Sequence, residues 1–298
     1  MKGIILAEKL EGKYNEILWE CIEGISNIAA AVGRSAFQVD AKEIIEKVME
    51  YSLVDNIDEQ NKTTVFMCYS NFCKSLENSF CFYLPIIMQD LIQTLSVAIT
   101  GQVNPSSIPA SKEQYSISIN DENSYFVDKS KIALKSQALT TLSEIFDTLS
   151  QRSEDSSLED AATDENGAPI PYSPNVYFCL DPRKYLVDYL NPIIENLPSC
   201  LSFIYSSSTR IQSARLIESI FNCFTPSKEE VENTKFHDYS SHLFSRIYPL
   251  LLHSISHEID KEALAISIEC FSNVPFFFLF PLLQAATNRG GGNGWWVG

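Results

Sequence analysis

The chain has 298 residues, 45% of them hydrophobic, enough for one large or two ordinary domains with packed cores. Lysine and arginine number 22 against 38 aspartates and glutamates, a formal net charge of −16. Such a surface repels phosphate backbones and anionic membranes and attracts basic partners, so neither nucleic acid nor membrane is expected as a partner.

The eight cysteines are scattered, most of them on apolar helical faces, and Cys68, Cys73 and Cys81 lack the CxxC spacing of a zinc site. They are expected to be buried, reduced thiols of a cytosolic or nuclear protein. Lys2, Glu8 and Lys9 interrupt the first ten residues, which rules against a signal peptide. The longest apolar run, near Val274 to Leu283, falls well short of the roughly 20 residues of a membrane span, so a soluble protein is expected.

From Ile17 a helical period is clear, with Leu18, Cys21, Ile22, Ile25, Ile28, Ala29 and Val32 on one stripe. Gly33 is expected to end that helix in a left-handed conformation. The next helix is expected from about Phe37 to Leu53, burying Phe37, Ala41, Ile44, Ile45, Val48 and Ser52. Its opposite face carries Asp40, Glu43, Glu46, Lys47 and Glu50.

After a turn at Asp55, Asn56 and Asp58 comes a second hairpin, Thr63 to Leu95. Its first helix buries Val65, Phe66, Tyr69, Phe72, Cys73 and Leu76. Its second buries Tyr83, Leu84, Ile87, Met88, Leu91, Ile92 and Leu95. Only Glu77 to Ser79 separate the two, which implies an antiparallel pair that needs neighbours to cover its stripes. Ile44-Ile45 and Ile86-Ile87 align at a spacing of about 42 residues, within the roughly 40–47 of HEAT and armadillo repeats.

Residues 100–128 break the pattern. Alternation at Tyr115 to Ile119 and at Ser124 to Val127, around an Asn-Asp-Glu-Asn turn, predicts a short β-hairpin lying against the helices. Helical period returns from about Lys129, with Ala138, Leu139, Leu142, Ile145, Phe146 and Leu149. Residues 151–178 begin with QRSEDSSLEDAATDENGAP and read as a disordered acidic loop, in which Ser153, Ser156 and Ser157 have the downstream acids of acid-directed phosphorylation.

Pro182 then opens a helix with Leu186, Tyr189, Leu190, Ile193, Ile194, Leu197 and Leu201 on its stripe. Pro192 and Pro198 are expected to bend it. A fourth pair follows, from about Ser208 to Phe224 and from about His237 to Ser256, with a charged insert at 225–236. A fifth pair begins near Asp260 and is expected to bury Leu264, Ile268 and Phe271, with its partner near Pro275 to Ala286. The tail 290–298, GGGNGWWVG, does not continue the repeat and reads as disordered. No polar capping repeat is evident at either end, as expected of a segment of a longer array.

No pattern for chemistry stands out. His253 and His257 are four apart but lack the glutamate of HExxH and a third ligand. No GxSxG, GxGxxG or Walker pattern is present. Neither catalytic residues, metal ligands nor cofactors are expected, and the chain is read as non-enzymatic. The candidate site is the polar side of the second helices: Asp40, Glu43, Glu46 and Glu50, then Gln89, Asp90 and Gln93, then Asp188, Asn191 and Glu195. If repeat stacking aligns them on one wall, they concentrate negative potential for Lys- or Arg-rich segments.

The stretches WECIEGISNIAAAVGRSAF (Trp19 to Phe37) and CKSLENSFCFYLPIIMQDLIQT (Cys73 to Thr94) resemble helix pairs of importin-beta-type nuclear transport receptors. The similar branch is karyopherin beta-three, the Ran-binding-protein-type importins. The resemblance continues through Tyr125 to Phe146, Lys184 to Leu197 and Ser213 to Phe224, and covers roughly residues 15 to 275. It implies an all-α, right-handed solenoid of about four to five HEAT-like pairs over residues 1–289, with second helices on the concave side. It further implies a carrier of basic cargo bearing nuclear localisation signals, working with Ran-GTP and nuclear pore proteins in the full-length receptor, in both cytoplasm and nucleus. The concave middle repeats that this segment resembles contribute to cargo binding, which implies that role for the ten positions above. The acidic loop and the Gly/Trp tail depart from the family pattern. The alternative is a HEAT scaffold subunit of a signalling or phosphatase complex.

Overall fold

The computed structural model describes residues 1–5, 14–54, 57–98, 100–103, 114–120, 123–150, 182–225 and 234–273. The acidic loop, the tail and the expected partner of the fifth first helix lie outside them. The chain divides into two compact units, Met1–Asn196 and Leu197–Gly298.

In the first unit, a short α1 (Lys2–Ile5) precedes α2 (Tyr14–Ser52), a rod broken only at Gly33. There φ is 71° and ψ −175°, a combination open essentially to glycine, so the residue expected to end the first helix does so and starts the second without a loop. On the first arm Leu18, Cys21, Ile22, Ile25 and Ala29 are buried, but Ile28 and Val32 are about half exposed. The buried arc is turned toward Ser26, which is fully buried and accepts from Asn71 on the next first helix.

α3 (Glu59–Leu76) begins at Asp58, whose carboxylate accepts from the Asn61 N–H at 2.8 Å in an ordinary N-cap. Every apolar position expected on its stripe is buried. The turn expected at Glu77 to Ser79 is longer: Glu77, at φ 50°, opens a 3-10 segment, Glu77–Phe82, that buries Phe80 and Cys81 before α4 (Leu84–Ser96) starts. Pro85 lies in the first turn of α4, where no backbone donor is lost.

The insert is a three-stranded antiparallel sheet. The expected hairpin forms from β2 (Gln114–Asn120) and β3 (Asn123–Asp128), and β1 (Thr100–Val103) adds to the other edge of β3. Thr100 and Tyr115 both pair with Val127, which is buried. β1 escaped the sequence reading because TGQV carries one large apolar residue and no alternation. Asp128 ends the sheet and caps α5 (Lys129–Ser150), accepting from the Ser130 and Lys131 N–H groups at 3.1 and 3.4 Å.

α6 (Arg183–Leu201) is one continuous helix through Pro192 and Pro198. In the second unit, α7 (Ser207–Cys223) is capped by Ser206, and α8 (Thr234–His257) runs through Pro249. α9 (Lys261–Asn273) is capped by Asp260, which accepts from the Glu262 and Ala263 N–H groups at 3.0 Å. Its buried face is not the expected Leu264, Ile268 and Phe271 but the small residues Ala263, Ser267 and Cys270. They allow close approach to α7, where Glu218 accepts from the Cys270 thiol at 3.2 Å and from Asn273 at 2.7 Å. Phe271 turns instead to Tyr248 on α8, with ring centroids 5.3 Å apart.

Two kinds of seam define the fold. Within a pair the helices run antiparallel: Trp19 near the start of α2 meets Tyr51 near its end, Lys62 at the start of α3 reaches Asp90 at the middle of α4, and Phe221 late in α7 meets Phe244 of α8. Between pairs the first helices stack in parallel. Cys68 and Asn71 of α3 bond to Ile22 and Ser26 of α2, and Ser70 and Lys74 bond to Thr141 and Glu144 of α5. The offset is 46 residues between Ile22 and Cys68 and 71 between Ser70 and Thr141, where the β insert intervenes. These are the seams of HEAT-like repeats. The fold class is all-α, an array of antiparallel helix pairs with a small β insert.

The seams combine apolar and polar contacts. Phe37 stacks on Phe72 at 5.4 Å and 6°, a pair worth about 0.5–1.5 kcal/mol beyond its buried area. Thr141, fully buried, donates to the Phe66 carbonyl at 2.9 Å, and Tyr69 donates to Ser52 at 3.0 Å. Both of these hydroxyls thus have a partner and cost little to keep inside.

Candidate functional site

All ten candidate positions fall in the first unit, and the fold treats them differently. On the second arm of α2, Glu43, Glu46 and Glu50 are exposed and Asp40 is half-buried. Lys2 of α1 is ion-paired with both Asp40 and Glu43, the latter at 2.9 Å, and their hydrogen bonds raise its pKa. Glu50 pairs with Lys47 at 2.6 Å. Two of the four carboxylates therefore share one ammonium and a third has its own. Burial, and next the Glu46 carboxylate, push Tyr83 up to about 12.

On α4, Gln89 and Gln93 are exposed as expected, but Asp90 is not. It is 4% exposed and joined to Lys62 of α3 at 2.7 Å. The expectation that Asp90 faces solvent is corrected. It sits on the edge of α4 turned toward the start of α3, a side that the periodicity of α4 alone leaves undefined. On α6, Asp188, Asn191 and Glu195 are exposed along one face while Leu186, Leu190, Ile193, Ile194 and Leu197 are buried.

Asp90 and Gln93 share a pocket of about 390 Å³ with Lys62, Lys131 and Lys135. Lys135 is nearly buried and donates to the Val97 carbonyl at 2.9 Å, closing the C-terminus of α4. Nothing in the sequence joins these lysines: Lys62 lies far along the chain from Lys131 and Lys135, and only the fold brings them together.

In the second unit, a largely apolar pocket of about 420 Å³ includes Leu201, Ile204, Leu250 and Ile259 among its lining residues. Beneath it Arg210 grips Glu258 through two bonds of 2.6 and 2.8 Å and reaches the Phe203 carbonyl at 2.8 Å. Burial alone would raise the Glu258 carboxyl, but the Arg210 guanidinium and the Asp260 and Ile259 N–H groups outweigh it and hold the pKa below the usual value. His253 and His257 stack with centroids 4.1 Å apart at the rim, His257 Nδ1 lying 2.9 Å from the His253 carbonyl. Among the described residues no three metal-ligating side chains converge, and no helix is long and apolar enough to cross a membrane. The seven described cysteines are all buried and unbridged.

Antiparallel pairs stacked through parallel first helices define a protein of the helical-array class. The solved structures with this fold include the karyopherin Kap121p. One Kap121p crystal structure superimposes with a TM-score of 0.61 at 17% identity, covering 88% of this chain and 22% of that one. Kap121p bound to RanGTP gives 0.56 at 15% identity, covering 91% and 23%, and Kap121p bound to the SUMO protease Ulp1p gives 0.56 at 15%, covering 88% and 22%. The chain thus spans about a fifth of the length of the structures it matches. No family model matches it. The likeness establishes a helical-array fold shared with Kap121p.

Proposed function

We propose that this chain is a segment of a nucleocytoplasmic transport receptor and that its second-helix faces bind basic cargo signals. The observation that carries this reading is the helix-pair fold shared with Kap121p, which has been solved with cargo proteins and with RanGTP. The net charge of −16 and the exposed carboxylates Glu43, Glu46, Glu50, Asp188 and Glu195 support it. In the longer receptor, cargo is released under the control of Ran-GTP, pore proteins are further partners, and the protein moves between cytoplasm and nucleus. The segment carries no chemistry of its own.

The test is titration of a Lys-rich localisation peptide at low and high salt. Exposed charges act mainly on encounter and are screened, so binding should weaken as salt rises. Reversing Glu46, Asp188 and Glu195 to lysine together should weaken it roughly tenfold or more, about 1.4 kcal/mol. Binding that ignores both salt and the triple reversal sinks the assignment.

A further inference from the structure

The apolar pocket of the second unit lies where α6 and α8 end and where α7 and α9 begin. Its frame is fully described: the turns 202–206 and 258–260 border it, and residues 226–233 and 274 onward join the opposite ends of α7, α8 and α9. Leu201 and Leu250 line it, with Ile204 and Ile259 beside them at 72% and 90% exposure. Exposed isoleucines are ordinary when scattered, but two brought from separate turns to one pocket form a patch.

The polar groups restrict what the pocket holds. Arg210 and Glu258 are the only Arg, Lys, Asp or Glu among its lining residues, and they are engaged with each other. A charged ligand group would lose hydration there and find no free counter-charge. The Ser254 hydroxyl is closed off from solvent, so no ligand reaches it. Ser202 donates its proton to the Pro198 carbonyl at 2.7 Å. His257 Nδ1 meets the His253 carbonyl at 2.9 Å, and a carbonyl only accepts. In the neutral ring the proton is therefore on Nδ1, and Nε2 carries a lone pair. Because Nδ1 is turned to the α8 backbone, Nε2 is turned away from it, on a residue that is exposed. The pocket thus presents apolar surface together with acceptor lone pairs on Ser202 Oγ and His257 Nε2.

An indole matches that inventory. It is neutral, large and mostly apolar, and its one polar group is an N–H that donates and never accepts. An aliphatic side chain would leave the acceptors unused, and a side-chain amide would bring a carbonyl that needs its own donor. We propose that this pocket receives a tryptophan side chain of a bound polypeptide, with the ring against Leu201, Ile204, Leu250 and Ile259 and the N–H donating to His257 Nε2 or Ser202 Oγ. The site goes beyond the acidic wall and does not depend on it, since it selects a neutral aromatic group where the wall selects positive charge.

The test titrates the full chain with N-acetyltryptophanamide, its 1-methylindole analogue and N-acetylleucinamide, observing the ring C–H signals of His253 and His257 by NMR. The tryptophan probe should give a saturable shift with a dissociation constant on the order of 1 mM, as suits so small a ligand. The other two should bind at least roughly fivefold more weakly, one for want of the donor and the other of the ring. Ile204→Ser and Ile259→Ser, both at exposed positions, should each weaken the tryptophan probe about threefold or more. His257→Phe keeps an aromatic ring but no acceptor, and should remove most of the difference between the two indole probes. No saturable shift, equal binding of the two indole probes, or indifference to both isoleucine variants overturns the proposal. Binding that tightens when Trp295 and Trp296 are both replaced by alanine would assign the pocket to this chain's own tail and overturn the partner assignment. None of the three probes is charged, so the result is separate from that of the Lys-rich peptide, and either site can fail while the other stands.

Discussion

Arg210→Met tests whether the second unit is held by a buried ion pair or only decorated by one. The Arg210 and Glu258 side chains are 9% and 2% exposed, and the guanidinium makes three bonds, two to Glu258 and one to the Phe203 carbonyl. Glu258 Oε1 also accepts from the Ile259 and Asp260 N–H groups at 3.0 Å. Arg210 therefore ties the turn before α7 to the turn before α9. Removing it strands a buried carboxylate and a carbonyl, a change that costs about 3–5 kcal/mol, against about 0–1 for an exposed pair. Hydrogen exchange at the Ile259 and Asp260 amides reads the loss locally, and about 3 kcal/mol corresponds to acceleration of more than roughly a hundredfold. The double variant Arg210→Met/Glu258→Gln keeps the acceptor for both amides without the charge, so it should recover part of the loss. The acid side carries the same signature. Because the folded Glu258 carboxyl lies below its unfolded value, its contribution is present above about pH 4.3 and is lost as pH falls through the folded value. In Arg210→Met that acid-side loss should shrink. A single variant that exchanges less than roughly fivefold faster would show a solvated pair and refute the reasoning.

Gly33→Ala meets no steric obstacle, yet its backbone is one that alanine rarely adopts, so it should cost roughly 1–3 kcal/mol in urea unfolding; an unchanged midpoint would contradict the break. The seven described cysteines should resist alkylation in the native chain at pH 8. All seven described ones are buried, and burial raises Cys68 to about 12 and carries Cys73 and Cys270 well above the usual thiol range. Mass spectrometry after maleimide treatment, with and without denaturant, checks this, and rapid native labelling at Cys68 or Cys73 would disprove it.

Much of this fold was legible because each helix carries its own period. The stripe of α3, the break at Gly33 and the β2–β3 hairpin all follow from spacing within a few turns of chain. What was not legible depends on neighbours. The period of α4 separates an inner from an outer face but says nothing of its flanks, and Asp90 lies on the flank that Lys62 covers. α9 has two nearly equivalent stripes, and the packing of α7 selects the one made of small residues. The candidate wall was read as an acidic surface. The fold shows that much of the charge on α2 is already matched by Lys2 and Lys47, leaving Glu46 and the α6 face as its plainest acidic positions.

The break in α2 also governs how this segment can vary. Its first pair has no loop in which to absorb an added residue. One residue inserted after Gly33 would turn the second arm by about 100° about its own axis. The Glu43, Glu46 and Glu50 edge would swing away from its present direction, and the Ile44, Ile45 and Val48 edge would swing with it. Where the acidic edge points is therefore a matter of counting along the backbone, settled before any partner arrives. Length changes belong in the segments between α4 and α5, α5 and α6, and α7 and α8, where the chain already carries its inserts.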